Sequence, residues 1–130
     1  MGHSNDILPT CCAAACIDVP AEAKIDGVNL LPHMTSRAAI ERGTVFWQME
    51  LYKGFQRHEP KPKPYATEVV RSGKWKLLAK GGEGVALYDL ATDPGESVNL
   101  LDKHASVVAR LEEELRGWLA APRKRWKETA

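Results

Sequence analysis

The sequence predicts an α+β fold: a small four-stranded antiparallel sheet covered on one face by a long C-terminal helix, with a short N-terminal helix. Two observations carry this prediction. Alternating apolar and polar residues separated by turn residues indicate strands, and apolar residues three and four positions apart near the C-terminus indicate a helix. Because a helix with a single apolar stripe needs a partner surface, we expect it to lie across one face of the sheet.

The strands are predicted from alternation and from the turns between them. They cover residues 44–51, 66–71, 74–79 and 85–90. Ser72-Gly73 is typical of a two-residue hairpin, with Gly73 taking a positive φ. After the last strand, Asp93-Pro94-Gly95 predicts a tight turn in which Gly95 supplies the left-handed conformation.

Two helices frame the sheet. The long helix is expected over about residues 104–120, and Pro122 ends it. Its apolar stripe consists of Val107, Val108, Leu111, Leu115, Trp118 and Leu119. The short helix is expected over about residues 6–15, behind capping side chains at 4–6, and Cys16 follows it where a glycine would be usual.

Composition limits the classes of partner. The 130 residues carry 18 basic and 17 acidic side chains, a net charge of +1, so no global charge favours nucleic acid or an anionic membrane. No apolar run is long enough to span a bilayer, and no N-terminal signal is present, so we expect a cytoplasmic chain that binds neither nucleic acid nor membrane. Residues 123–130 form a basic tail, interpreted as solvated.

Three cysteines lie within six residues, at Cys11, Cys12 and Cys16. Such close spacing on a helical pattern does not form a disulfide framework. Cys12 and Cys16 are spaced for a metal, but no second pair completes a zinc site. We interpret the three as small, buried apolar side chains.

The order of these elements and their sequence resemble the C-terminal subdomain of the sulfatases, the arylsulfatase-like members of the alkaline phosphatase superfamily. The resemblance rests on T-E-V-V-R-S-G-K-W-K-L-L, A-L-Y-D-L-A-T-D-P-G-E-S-V-N-L, D-I-L-P-T and I-D-G-V-N-L-L-P, within roughly residues 5–120. It implies a helix and connector over residues 1–43, followed by a sulfatase C-terminal-type α+β subdomain over residues 44–122.

The resemblance also implies what the chain lacks. Sulfatases use a formylglycine made from Cys or Ser in a Cys/Ser-x-Pro-x-Arg motif, together with a calcium-type divalent cation. None of the three cysteines lies in that motif. We therefore predict no catalytic, cofactor-binding or metal-binding residue in this chain, no activity of the chain alone, and a missing catalytic domain as its partner. Sulfatases are often exported, so the parent protein need not be cytoplasmic.

Two surfaces are predicted to have a role. In a full-length sulfatase, the loop over residues 53–64 would rim the substrate cleft and place Lys53, Arg57, His58 and Lys61 near an anionic group. A solvated Pro-Lys loop is the alternative. The short helix presents Ile7, Leu8, Cys11 and Cys12 as a possible self-association face. A free-standing, homo-oligomeric interaction module thus stays open beside the sulfatase subdomain.

Overall fold

The sheet contains four antiparallel strands in the order of the chain. The structure, a computed structural model, describes residues 2–20, 23, 25–49 and 66–121. Its strands are β1 (Val45–Gln48), β2 (Glu68–Ser72), β3 (Trp75–Lys80) and β4 (Glu83–Asp89), each paired with the next. The contacts within the chain divide it into two units, Met1–Arg42 and Gly43–Ala130, and the sheet belongs to the second.

Glycine-containing turns set the register of the sheet. Gly73 has a φ of +55°, as the sequence predicts, and this tight turn pairs Ser72 with Trp75. Gly81 and Gly82 also have positive φ values, and they join β3 to β4. The register between β3 and β4 shifts after Leu78. This is a β-bulge, which increases the local twist of the strand.

One row of paired residues crosses the sheet and forms the sheet side of the hydrophobic core. Phe46 pairs with Val70, Val70 with Leu77, and Leu77 with Leu87. Paired residues point to the same face of an antiparallel sheet. The row therefore presents four apolar side chains to one side.

The C-terminal helix α3 (Ala105–Ala120) covers that side of the sheet. Leu111 and Leu115 are fully buried against the row. The rest of the predicted stripe packs around them, half-buried: Val107, Val108, Trp118 and Leu119. The predicted fold class is thus confirmed, and so is the helix stripe.

Polar contacts at the solvent-exposed sides of α3 hold the helix on the sheet. The Glu112 carboxylate accepts a hydrogen bond from the Gly84 N–H at 2.8 Å. The Thr44 hydroxyl donates to Glu114 at 2.5 Å, and Arg110 pairs with the same carboxylate one helical turn earlier. These contacts tie the helix to β4 and to the residue that precedes β1.

The acidic turn after β4 differs in detail from the prediction. The positive φ, +55°, belongs to Glu96 and not to Gly95. The Asp93 carboxylate accepts hydrogen bonds from the backbone N–H groups of Ser97 and Val98, which folds the chain back after the turn. The left-handed residue is therefore Glu96, one position after Gly95.

The described part of the first unit contains two short helices. A 3₁₀ turn (Ser4–Asp6) leads into α1 (Ile7–Ala14), which ends with Cys16 at a φ of +55°. The Ile17 N–H bonds to the Cys12 carbonyl oxygen at 2.9 Å, so a cysteine here occupies the position that glycine usually takes. A second helix, α2 (Leu31–Ser36), lies in the stretch expected to be a connector.

Candidate functional site

The predicted cleft-rim residues lie outside the described residues. Lys53, Arg57, His58 and Lys61 all fall in the segment between Met49 and Ala66. Their role at a substrate cleft stays a prediction.

The predicted self-association face lies on α1, which buries none of its residues. Ile7 is 65% exposed and Leu8 is 56% exposed. Both line an open groove of about 460 Å³. The other lining residues are Ser4, Asn5, Cys11, Ile25 and Asp26.

The prediction that the cysteines are buried is wrong. Cys11 and Cys16 are exposed, Cys12 is half-buried, and all three are free thiols. The reason is that Cys11 shares a side of α1 with Ile7 and Leu8, and this side faces solvent. An apolar stripe in the sequence identified the helix but did not identify what covers it.

The buried carboxylate of Asp6 holds α1 in place. It accepts hydrogen bonds from the backbone N–H groups of His3 at 2.6 Å and Val28 at 2.9 Å. The Arg42 guanidinium also pairs with it. The Arg42 hydrogen bond, aided by those two N–H groups, lowers the pKa of Asp6 to about 2.

Gly27 allows the connector to pass close to the start of α1. A Cβ atom at this position would lie 2.0 Å from the Asn5 carbonyl oxygen. Nearby, the Thr10 hydroxyl oxygen accepts a hydrogen bond from the Leu30 N–H at 2.9 Å. Nothing in the sequence indicated this close approach.

The sheet presents a second apolar row on the face opposite α3. Trp47, Val69, Leu78 and Ala86 are paired across the four strands, and each alternates with a residue of the core row. Ala86 is fully buried and the other three are half-buried. Both faces of this small sheet are therefore apolar at their centres.

Three carboxylates, at the end of β4 and in the turn that follows it, make contacts within the fold. Asp89 pairs with Lys74 at 2.7 Å, and this hydrogen bond is the main cause of its lowered pKa. The pKa of Asp93 is lowered chiefly by the N–H of Val98. Glu96 pairs with Lys76 at 2.6 Å. These contacts agree with the tight turn that the sequence predicts at Asp93-Pro94-Gly95.

Two further features bear on the class of site. Across residues 2–20, 23, 25–49 and 66–121, the structure assembles no cluster of three or more His, Cys, Asp or Glu side chains suited to a metal ion. In the same part of the chain, no helix has both the length and the apolar character to cross a membrane.

An antiparallel sheet with one long helix across it defines an α+β scaffold. The solved structures with this fold include sulfatases. A protein of Bacteroides thetaiotaomicron VPI-5482 assigned as a sulfatase is 29% identical, with a TM-score of 0.63. A 2-O GAG sulfatase is 30% identical, with a TM-score of 0.62. The phosphonate monoester hydrolase of Agrobacterium radiobacter is 30% identical, with a TM-score of 0.55.

The likeness covers nearly all of this chain but a small part of the others. Each of the three matches extends over 88% of this chain and 24% of the matched chain. No family model matches the chain, and no curated protein matches it. The structural comparisons confirm the resemblance to the C-terminal part of a sulfatase. The chain spans about a quarter of the length of the structures it matches.

Proposed function

We propose that this chain serves as the C-terminal subdomain of a sulfatase, a sulfuric ester hydrolase, and that it supports the cleft without carrying out the chemistry. The observation that carries the proposal is the match of 88% of the chain to one quarter of a 2-O GAG sulfatase, at 30% identity. The remaining three quarters of such an enzyme would supply the nucleophile and the cation.

The residues support a structural role in three ways. The sequence contains no Cys/Ser-x-Pro-x-Arg motif, so it offers no precursor for a formylglycine. The carboxylates of Asp89, Asp93 and Glu96 are paired with lysines or backbone N–H groups. The second apolar row of the sheet, centred on Leu78 and Ala86, offers a larger domain a surface to pack against.

The cleft-rim loop gives this subdomain a part in substrate selection. Lys53, Arg57, His58 and Lys61 would meet the anionic group to which the sulfate is attached. One matched structure is a phosphonate monoester hydrolase, so a subdomain of this fold also accompanies hydrolysis of another ester class. The rim would therefore influence which molecule binds, while the catalytic domain would determine which bond breaks.

A chimera tests this proposal directly. The matched quarter of the 2-O GAG sulfatase is replaced by this chain, and hydrolysis of its sulfated sugar is measured. We expect a folded chimera that keeps sulfatase activity, and a matched chimera carrying Leu115→Asp that does not fold. A chimera that folds, with the intact far-UV circular dichroism of the parent, and yet hydrolyses neither the sulfated sugar nor a simple aryl sulfate would contradict the proposal.

The isolated chain provides the complementary experiment. Incubated with an aryl sulfate and calcium, the purified 130-residue chain is expected to release no sulfate above a protein-free blank. Turnover that survives repurification and disappears on denaturation would refute its non-catalytic role. The reading frame upstream of Met1 is a further check, since a Cys/Ser-x-Pro-x-Arg motif there would support the subdomain assignment.

A second candidate function is a self-associating interaction module. It is favoured by one observation, the exposure of Ile7 and Leu8 along an open apolar groove. Two copies would bury these faces against each other, most simply as a symmetric dimer. Sedimentation equilibrium at micromolar concentration would show a dimer that Leu8→Lys dissociates and the control Val98→Lys, on the second unit, does not. A monomer at every concentration would exclude this function.

A further inference from the structure

No further inference is drawn: the strongest candidate, the buried carboxylate of Glu68 at the start of β2, whose Oε2 makes no hydrogen bond to the residues that the structure describes, carries nothing because nothing in the structure shows what would bind there.

Discussion

The ring of Trp118 stacks on the ring of Phe46, with the centroids 5.1 Å apart and the planes 15° from parallel. Phe46 lies on β1, the edge strand, and Trp118 lies in the last turn of α3. Among the strands that the structure describes, β1 is short and pairs only with β2, so its attachment to the sheet depends on contacts of this kind. The stacked pair connects the outermost strand to the end of the helix.

Removing either ring should loosen the second unit. Because both rings are half-buried, we expect Phe46→Ala or Trp118→Ala to lower the free energy of unfolding by about 2 to 3 kcal/mol, below the cost of a fully buried aromatic residue. The double variant should show a coupling of about 0.5 to 1.5 kcal/mol. Urea unfolding followed by far-UV circular dichroism measures all three, and strictly additive losses would show that the stacking contributes nothing of its own.

The centre of the core should be more sensitive than the surface of the same helix. Leu111 is fully buried, so Leu111→Ala should cost about 2 to 5 kcal/mol, depending on how far the neighbours close the cavity. Glu113 is exposed two positions along, and Glu113→Ala should change stability by less than about 0.5 kcal/mol. Equal losses in the two variants, measured by thermal unfolding, would mean that α3 does not pack through its predicted stripe.

The sheet and α3 could be predicted because their signals are local. Alternation, the Ser-Gly turn and the spacing of apolar residues each depend on residues close in sequence, and the structure places the elements within a few residues of the expected bounds. The helix α2 was missed for the same reason. It has only six residues, too few to show a period, and it ends at Arg37 in a left-handed conformation without a glycine to signal the end.

The contacts that organise the first unit could not be predicted, because they join distant residues. Asp6 suggested a helix cap, but its carboxylate binds Val28 and Arg42, 22 and 36 positions away. The spacing of Cys11 identified a helix face, and only the structure shows that this face is exposed. Periodicity reveals which residues share a side of a helix, and it does not reveal which side the rest of the chain covers.

Gly27 should be the least replaceable glycine of the first unit. The Cβ of Gly27→Ala would overlap the Asn5 carbonyl oxygen, so the connector must move away from α1, at a cost of about 2 to 3 kcal/mol. Gly43 is the matched control, since a Cβ there has no atom within 4 Å, and Gly43→Ala should be neutral or slightly stabilising.

Amide exchange measured by nuclear magnetic resonance separates these outcomes. In Gly27→Ala, the Leu30 amide, which donates to Thr10, should exchange faster, while amides of β3 should keep their rates. An unchanged Leu30 rate would show that the close approach at Gly27 is not needed to hold α1.

Acid should weaken the contacts of Asp6 that hold α1 in place. The pKa of Asp6 is about 2 in the folded chain, below the value of about 3.9 expected in the unfolded chain. A lowered folded pKa means that the unfolded state binds more protons in this range, so the stabilisation is complete above about pH 4 and is lost as the pH falls towards 2. Since Arg42 keeps part of its side chain in water, we expect a loss of about 1 to 2 kcal/mol.

Substitution of the carboxylate should remove this pH dependence. Asp6→Asn keeps the shape of the side chain but cannot pair with Arg42 as an anion. The free energy of unfolding of the variant should therefore be lower at neutral pH and nearly constant between about pH 4 and 2. Asp18→Asn, at an exposed position of the same unit, should retain the acid transition of the parent. The amide signals of Val28 and Leu30, followed across the titration, report the opening directly. If Asp6→Asn loses them at the same pH as the parent, another group controls the acid response of the first unit.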